Sequence, residues 1–520
     1  MDFDLLITGG EVFDGSGRPG ERRDIGIRGD RIAEIGGLKG ATARQVLSAE
    51  GRWVIPGLID SHSHSDSYLL IEPAARSKLY QGVTTEVVGQ CGTSAAPLLG
   101  KARLSSDWEN KPYPGRWRTT AEYRALLEQV RPAVNVVLLT GHGKLRAAVM
   151  GYEGRPASAG EVAQMAALLE AAMEEGSRGL SSGLIYAPGL FAEASELEAL
   201  AHVAARRGGV YATHMRSEGA RLWEAIDETL TLTRHTGIRT ILSHLKTSGR
   251  ANWSKLDGAL ERIHRIRAEG FAVYADRYPY TASNTDLDVL LPAWAVEGGR
   301  EAVLARLRDS EIRSRLIGEM MALRSAEEWE TIMVAMTHHP ETRPFSGLRL
   351  PEIARRIGLS PAEAALWLIE RDALGTTAFF FGMSKDNMRR ILAEPWVMIG
   401  SDASVRAPDG PLSADYPHPR AYGTFARFLR LSLEGKTVQP AEAIRKMTQL
   451  PATVFGLSDR GRIQQGAAAD IVVLDPKTLR DRADYASPHR LAEGIEHVIV
   501  NGCLTLESGR LTGRRAGRVL

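Results

Sequence analysis

The sequence predicts an α/β protein, a (β/α)8 TIM-like barrel with a small β-sandwich built from both chain ends. Length is one reason, because 520 residues exceed an ordinary single domain but suit a barrel with additions. A second is that short strands punctuated by glycine turns occupy both ends, as in "DLLITGGEVFDGSG" and "GRIQQGAAADIVVLD". A third is that strand, loop and helix alternate between them.

Residues 1–56 and 457–520 share the β-rich texture. Neither is long enough to bury a core alone, so the two are expected to pair into one discontinuous sandwich. Residues 57–456 then form the barrel. Its strands are read in "WVIPGLID", "GVTTEVVG", "NVVLLTG", "SRGLSSGL", "GVYATH", "RTILSH", "FAVYAD" and "WVMIGSD". Amphipathic helical stretches such as "SAGEVAQMAALLEAAMEEG" separate most of them. About 283–350, between the seventh and eighth strands, is helix-rich and too long for a plain connection, and reads as an inserted helical lid or subdomain.

Composition narrows the function. Lys plus Arg (65) nearly balance Asp plus Glu (63) and no basic arm is concentrated anywhere, which argues against nucleic acid and for a small-molecule partner. The start, "MDFDLLITGG", has no basic region leading into a long apolar run, and no window resembles a membrane span, so a soluble cytoplasmic protein is expected. The only cysteines, Cys91 and Cys503, exclude a disulfide framework and fit a reducing compartment.

The chemistry is read from the strand ends, where barrels gather their active sites. In "VIPGLIDSHSHSD", His62 and His64 lie two apart in an extended chain and project to one side, with Asp60 one step deeper. Two parallel imidazoles suit a divalent metal, although an isolated pair is as compatible with a solvated loop. Cys91 after strand 2, His214 and His244 ending strands 5 and 6, and Asp402 ending strand 8 join them. Six ligand-type side chains at corresponding strand ends predict a metal site.

With "IDSHSHSD", the single histidines and the terminal aspartate in place, the chain resembles the amidohydrolase superfamily, whose members wrap a metal-bearing barrel with a small β-sandwich from both chain ends. Dihydroorotases, hydantoinases and isoaspartyl dipeptidases of that superfamily typically carry a carboxylated lysine ending strand 4. "RGLSSGLIYAPG" has none, and Lys144 in "TGHGKLR" follows strand 3. Cys91 in "GQCGTSAAP" is instead similar to the cysteine ligand of the N-acyl-D-amino-acid deacylase (D-aminoacylase) family. "GLIYAPG", "THMRSEG", "SHLKTSG", "DRYPYTAS", "HPRAYGTF" and "GRRAGRVL" resemble that family as well.

The resemblance implies one firmly bound Zn(2+) at Cys91, His214 and His244, a set whose softness suits zinc and leaves a position for water. A second metal position, at His62, His64 and Asp402, is left open. Asp402 is implied to be the general base, Lys246 and Arg420 to hold the substrate carboxylate, and Tyr186 and Tyr278 to add hydroxyl donors, with Tyr280 and Ser283 as weaker neighbours. The implied reaction is hydrolysis of N-acyl-D-amino acids to a carboxylate and a free D-amino acid. "TDLDVLLPAWAVEGG" offers an apolar wall of Leu290, Leu291, Pro292 and Trp294 with no arginine before Arg300, so apolar side chains are expected over D-glutamate or D-aspartate. Two alternatives stand beside this reading. One is a related amidohydrolase acting on cyclic amides or β-aspartyl dipeptides, which the missing strand-4 lysine disfavours; the other is a non-catalytic scaffold, which the intact ligand set disfavours. Replacing Cys91 by Ser is expected to reduce both zinc content and activity; metal analysis and turnover that both match the parent would remove the distinction from the lysine-bridged branch.

Overall fold

Buried runs three to six residues long, too short for helices, form eight parallel strands in the computed structural model, which describes residues 1–106, 108, 109 and 111–520. Strands 1 to 8 are Leu58–Asp60, Val83–Val88, Asn135–Leu138, Gly179–Gly183, Val210–His214, Arg239–Leu242, Val273–Arg277 and Val397–Ile399. Strands 1, 2 and 3 pair in order, as do strands 4 to 8. A continuation of strand 3, Thr140–Gly141, joins the two sets through strand 4. Ile59, Val87, Val137, Ala212, Ile241 and Met398 meet in one buried cluster, and Leu450 and Phe455 pack into it. Helices follow the strands. The helix Ala159–Glu174 starts at Ser158, which closes a capping box with Glu161, and buries Met165 and Leu169 against Leu180 and Tyr211 of strands 4 and 5.

The stretch read as one strand, "WVIPGLID", is two. Trp53–Pro56 pairs in parallel with Phe3–Val12 and antiparallel with Ile471–Leu474, at the seam of a nine-stranded sheet made from both chain ends. The chain then turns at Gly57, where a Cβ would fall 2.1 Å from Thr84 Oγ1, and enters strand 1. Ile7, Ile25 and Val54 from the first end share a core with Ile471, Val473 and Ile499 from the second.

The insertion is neither purely helical nor confined to 283–350. Ser283–Asp286, Ile332–Val334 and Thr377–Phe380 form a three-stranded antiparallel sheet, with the last of these strands in the middle. Leu316, Met320, Trp329, Ile353 and Leu366 build its own core. The helices dominate the sequence signal, whereas the central strand is only four residues long and lies far along the chain. Among the described residues no helix is long and apolar enough to cross a membrane.

Strand 8 closes on strand 1. The Ser61 N–H donates to the Ile399 carbonyl at 3.4 Å and the Asp402 N–H to the His62 carbonyl at 2.8 Å. Beneath this seam the fully buried Lys78 amine donates to Asp60 Oδ2 (2.7 Å), Ser401 Oγ (2.9 Å) and the Ala403 carbonyl (2.9 Å), and faces Glu86 Oε1 at 3.0 Å. Burial opposes the ammonium, yet Asp60 and Glu86 outweigh it and hold its pKa above the usual lysine value. Lys78→Met strands two buried carboxylates and is expected to lower stability by roughly 3–5 kcal/mol. Urea unfolding of metal-free protein measures this, and an unchanged midpoint would contradict it.

Candidate active site

The turn after strand 2 is built from glycines because there is no room for side chains. Gly89 and Gly92 have φ of 81° and 73°, and a Cβ would fall 2.1 Å from the Leu139 carbonyl oxygen at the first and 2.6 Å from the Gly183 nitrogen at the second. This packing sets Cys91 at the mouth of the barrel. Cys91, His244 and Asp402 all have left-handed backbones, with φ of 53°, 37° and 51°. For residues with a Cβ this costs about 1–3 kcal/mol each. The conformations are held by specific bonds: the His244 N–H donates to Asp276 Oδ1 at 2.8 Å, and the Gly92 N–H to Ser181 Oγ at 3.0 Å.

All six predicted ligands converge. Their atoms form two groups, each within 4.8 Å: Cys91, His214 and His244, and His62, His64, Cys91 and Asp402. The sulfur belongs to both. Cys91 Sγ lies 3.4 Å from both His62 Nε2 and His244 Nε2. A tetrahedral cation with sulfur at about 2.3 Å and nitrogen at about 2.0–2.1 Å separates these ligand atoms by about 3.5 Å. His214 is 5 % exposed, and neither ring nitrogen has a hydrogen-bond partner among the described residues. A buried imidazole with neither nitrogen hydrogen-bonded and only Glu218 Oε2 at 3.8 Å from its Nε2, beside a thiol and a second imidazole, fits a metal ion as its partner. In the second group, Asp402 Oδ1 lies 3.1 Å from His64 Nε2 and 3.4 Å from His62 Nε2.

Three residues that sequence reasoning passed over orient the ligands. Asp276, ending strand 7, accepts from His62 Nδ1 at 3.1 Å with one oxygen while the other holds the His244 backbone. Glu218, four residues after His214, lies 2.8 Å from His244 Nδ1 and pairs with Lys246. Both leave the Nε2 atoms facing the sulfur. Lys78 is the third, bound to Asp60 below. The signal for Asp276 was its place at the C-terminal end of strand 7, and for Glu218 its nearness to a candidate ligand inside "THMRSEG".

The charges depend on one another. Burial resists ionisation of Cys91, but His62 and His244 hold the thiol well below its usual range. Burial would likewise push the imidazoles down, and it does so for His214. His64 is instead held up at about 9, by Asp402 and Cys91. His244 is held up at about 10, by Glu218, Asp402 and Cys91 against both burial and Lys246. Burial also opposes ionisation of Asp402, yet Arg420 and the histidines keep that carboxyl well below the usual range.

Around this centre lies an open cavity of about 1430 Å³. Lys246, Tyr186, Arg420 and Ser283 line it. Arg420 Nη1 is 2.8 Å from Asp402 Oδ2, while its buried Nε has no hydrogen-bond partner among the described residues. The Tyr186 hydroxyl meets Thr285 Oγ1 at 2.9 Å, and its ring stands edge-on to His214. Tyr278, expected to present a hydroxyl to substrate, is not in the cavity wall: it is fully buried, with its ring under the guanidinium groups of Arg420 (4.6 Å) and Arg277 (4.3 Å). Tyr280 is buried beneath Arg427 in the same way. Lys144 also lines the cavity, bonded to the Arg103 carbonyl, and joins neither ligand group. Of the apolar wall expected from Leu290, Leu291, Pro292 and Trp294, only Leu290 lines the cavity, joined by Val289; Arg324, from beyond the stretch read as free of arginine, lines it too.

The amidohydrolase family model matches residues 45–505. The chain belongs to the amidohydrolase family. Within this family it is 39% identical to an N-acyl-D-glutamate deacylase of Alcaligenes xylosoxydans xylosoxydans, over 100% of this chain and 96% of the relative. It is 37% identical to a D-aminoacylase of the same organism, over 100% and 97%. A crystal structure of N-acyl-D-glutamate deacylase from Bordetella bronchiseptica, complexed with zinc and a phosphonate inhibitor, superposes with a TM-score of 0.85 at 36% identity, covering 100% of both chains. These relatives place the amidohydrolase barrel in the N-acyl-D-amino-acid deacylase branch that Cys91 signals.

Metal uptake should therefore release protons. At pH 7, below values of about 9 and 10, His64 and His244 are protonated in metal-free protein, and each must lose a proton to ligate. Calorimetric zinc titration in two buffers of different ionisation enthalpy is expected to show release of about one to two protons per chain; a heat independent of the buffer would contradict this.

Proposed function

We propose that the chain hydrolyses N-acyl-D-amino acids to a carboxylate and a free D-amino acid, with zinc held by Cys91, His214 and His244. The observation that carries this reading is the buried thiol and two imidazoles, one of them without a hydrogen bond among the described residues, opening onto a cavity that also holds the ionised Asp402 carboxylate and the cations of Lys246 and Arg420. The likeness to deacylases, one of them crystallised with zinc, supports it. His62, His64 and Asp402 would hold a second ion, with the Cys91 sulfur between the two positions.

Zinc bound there supplies Lewis acidity toward the scissile carbonyl and toward water. The remaining work falls to side chains. Asp402 is ionised and reaches the cavity, so its Oδ1 can accept the proton of the attacking water and return it to the leaving amine nitrogen. Arg420 fixes Oδ2 and so leaves Oδ1 as the oxygen that turns over protons. A carboxylate paired this strongly is a weak base, which matches a reaction in which the water is already acidified. The free Nε of Arg420 and the Lys246 ammonium are the donors for the α-carboxylate of the substrate. Glu218 orients Lys246 through their ion pair. With carboxylate and carbonyl both fixed, the third substituent of the α-carbon has one direction open, and selection of the D-enantiomer follows.

Asp402→Asn is expected to lower kcat roughly 10²–10⁴-fold while zinc at Cys91, His214 and His244 is retained. Free-amine release from N-acetyl-D-amino acids with metal analysis of the same sample tests this. Near-parental turnover, or cleavage of L-enantiomers alone, would overturn the reading.

A further inference from the structure

His418 lies two residues before Arg420 in "HPRAYGTF", lines the same cavity and is only 2 % exposed. Both of its ring nitrogens are bonded. Nδ1 accepts from the Arg420 N–H at 3.0 Å, so the ring proton sits on Nε2, which donates to the Ala282 carbonyl at 3.0 Å. The Tyr485 hydroxyl meets the same Nε2 at 3.1 Å. Burial and the Arg420 guanidinium hold the pKa of this imidazole well below the usual histidine value, which keeps Nδ1 free of a proton and able to accept.

The acceptor stands where a helix needs one. Arg420 opens the helix Arg420–Leu433, and the first N–H groups of a helix have no partner within it. The residue before it is Pro419, whose side chain carries no acceptor and makes no capping bond. His418 supplies the cap from one residue further back, and its own carbonyl takes the Ala421 N–H at 3.0 Å. The rings of Tyr280, Phe379 and Tyr485 hold the imidazole in place, standing edge-on around it with centroids at 5.3, 5.3 and 5.0 Å. They come from the loop after strand 7, the inserted sheet and the second chain end, three segments far apart in sequence.

The consequence falls on Arg420. Its guanidinium is set at the far end, by Asp402 Oδ2 at 2.8 Å, the Asn284 carbonyl at 3.4 Å and the Tyr278 ring at 4.6 Å. Its Cα is set by the helix start that His418 caps. A guanidinium that grips a carboxylate tolerates little displacement, so an error at the backbone passes to the grip.

We propose that His418 is a positioning residue, whose Nδ1 caps the helix at Arg420 and thereby aims that guanidinium at the α-carboxylate of the substrate. The proposal rests on the deacylase reading above and adds how one of its binding groups is set.

Three replacements separate the two nitrogens. His418→Asn puts a carbonyl oxygen near the place of Nδ1 and keeps the cap; His418→Gln puts an amide near the place of Nε2 and keeps the tie to Ala282; His418→Phe fills the space with neither. Kinetics of the zinc-loaded protein are measured on whichever of N-acetyl-D-leucine and N-acetyl-D-glutamate the parent turns over faster. The α-carboxamide of the same compound, which offers no α-carboxylate, is measured as a competitor. His418→Phe and His418→Gln are expected to raise KM for the acid at least about tenfold with Ki for the carboxamide within about threefold, and His418→Asn to stay within about threefold of the parent on both. A loss of stability alone would lower the active fraction, and so the apparent kcat, and leave KM unmoved. His418→Phe at the parental KM, equal shifts for acid and carboxamide, or His418→Asn no closer to the parent than His418→Phe in KM or in folded yield overturns this proposal and leaves the deacylase reading in place. No turnover of any N-acetyl-D-amino acid by the parent overturns both.

Discussion

The seam between strands 1 and 8 is the constraint on which the rest of the site depends. It joins residues more than 330 positions apart in sequence, and the 2.8 Å bond from the Asp402 N–H to the His62 carbonyl places the base candidate against the imidazoles. Lys78 ties both sides from below, through Asp60 on strand 1 and Ser401 after strand 8. Because that amine and its carboxylates are fully buried, any slippage of the seam would leave charges unpaired in a low-dielectric interior. The barrel is held in one register, and the ligands inherit its precision.

Above the seam the protein concentrates groups that disfavour one another's isolation. A thiolate, the ionised Asp402 carboxylate and imidazoles share the barrel mouth, and three of the candidate ligands sit in left-handed backbone. Strain and burial of this kind persist where the surrounding structure over-determines them. Here Asp276 does so for two ligands at once, linking the His62 ring and the His244 backbone. A divalent cation bound there would resolve the charge arrangement by taking the place of the protons that His64 and His244 otherwise carry. The Cys91 sulfur is common to both ligand groups, so it stands where one atom could serve two ion positions.

The convergence of the six candidate ligands was legible in the sequence because their residue types are rare and barrel topology sends every strand end to one mouth. His62, His64, Cys91, His214, His244 and Asp402 therefore needed only the strand assignment. Glu218, Asp276 and Lys78 were not legible, since carboxylates and lysines are common and only three-dimensional contact separates a ligand's partner from a surface charge. Tyr278 and Trp294 show the converse: polar or apolar chemistry near a site does not say which way a side chain faces. The break at Gly57 was hidden because an apolar run reads as one strand even when a single glycine, packed too close to Thr84 for a side chain, divides it between two sheets. Arg324 escaped for a related reason, being brought to Leu290 by the fold of the insertion and not by nearness in sequence.

The central claim is that a thiolate from strand 2 and the imidazoles of strands 5 and 6 hold the reactive metal. X-ray absorption at the zinc edge of the protein loaded with one zinc per chain tests this without reference to activity. The account predicts one sulfur at about 2.3 Å and two imidazole nitrogens at about 2.0–2.1 Å. A first shell of nitrogen and oxygen only, with no sulfur, would contradict it.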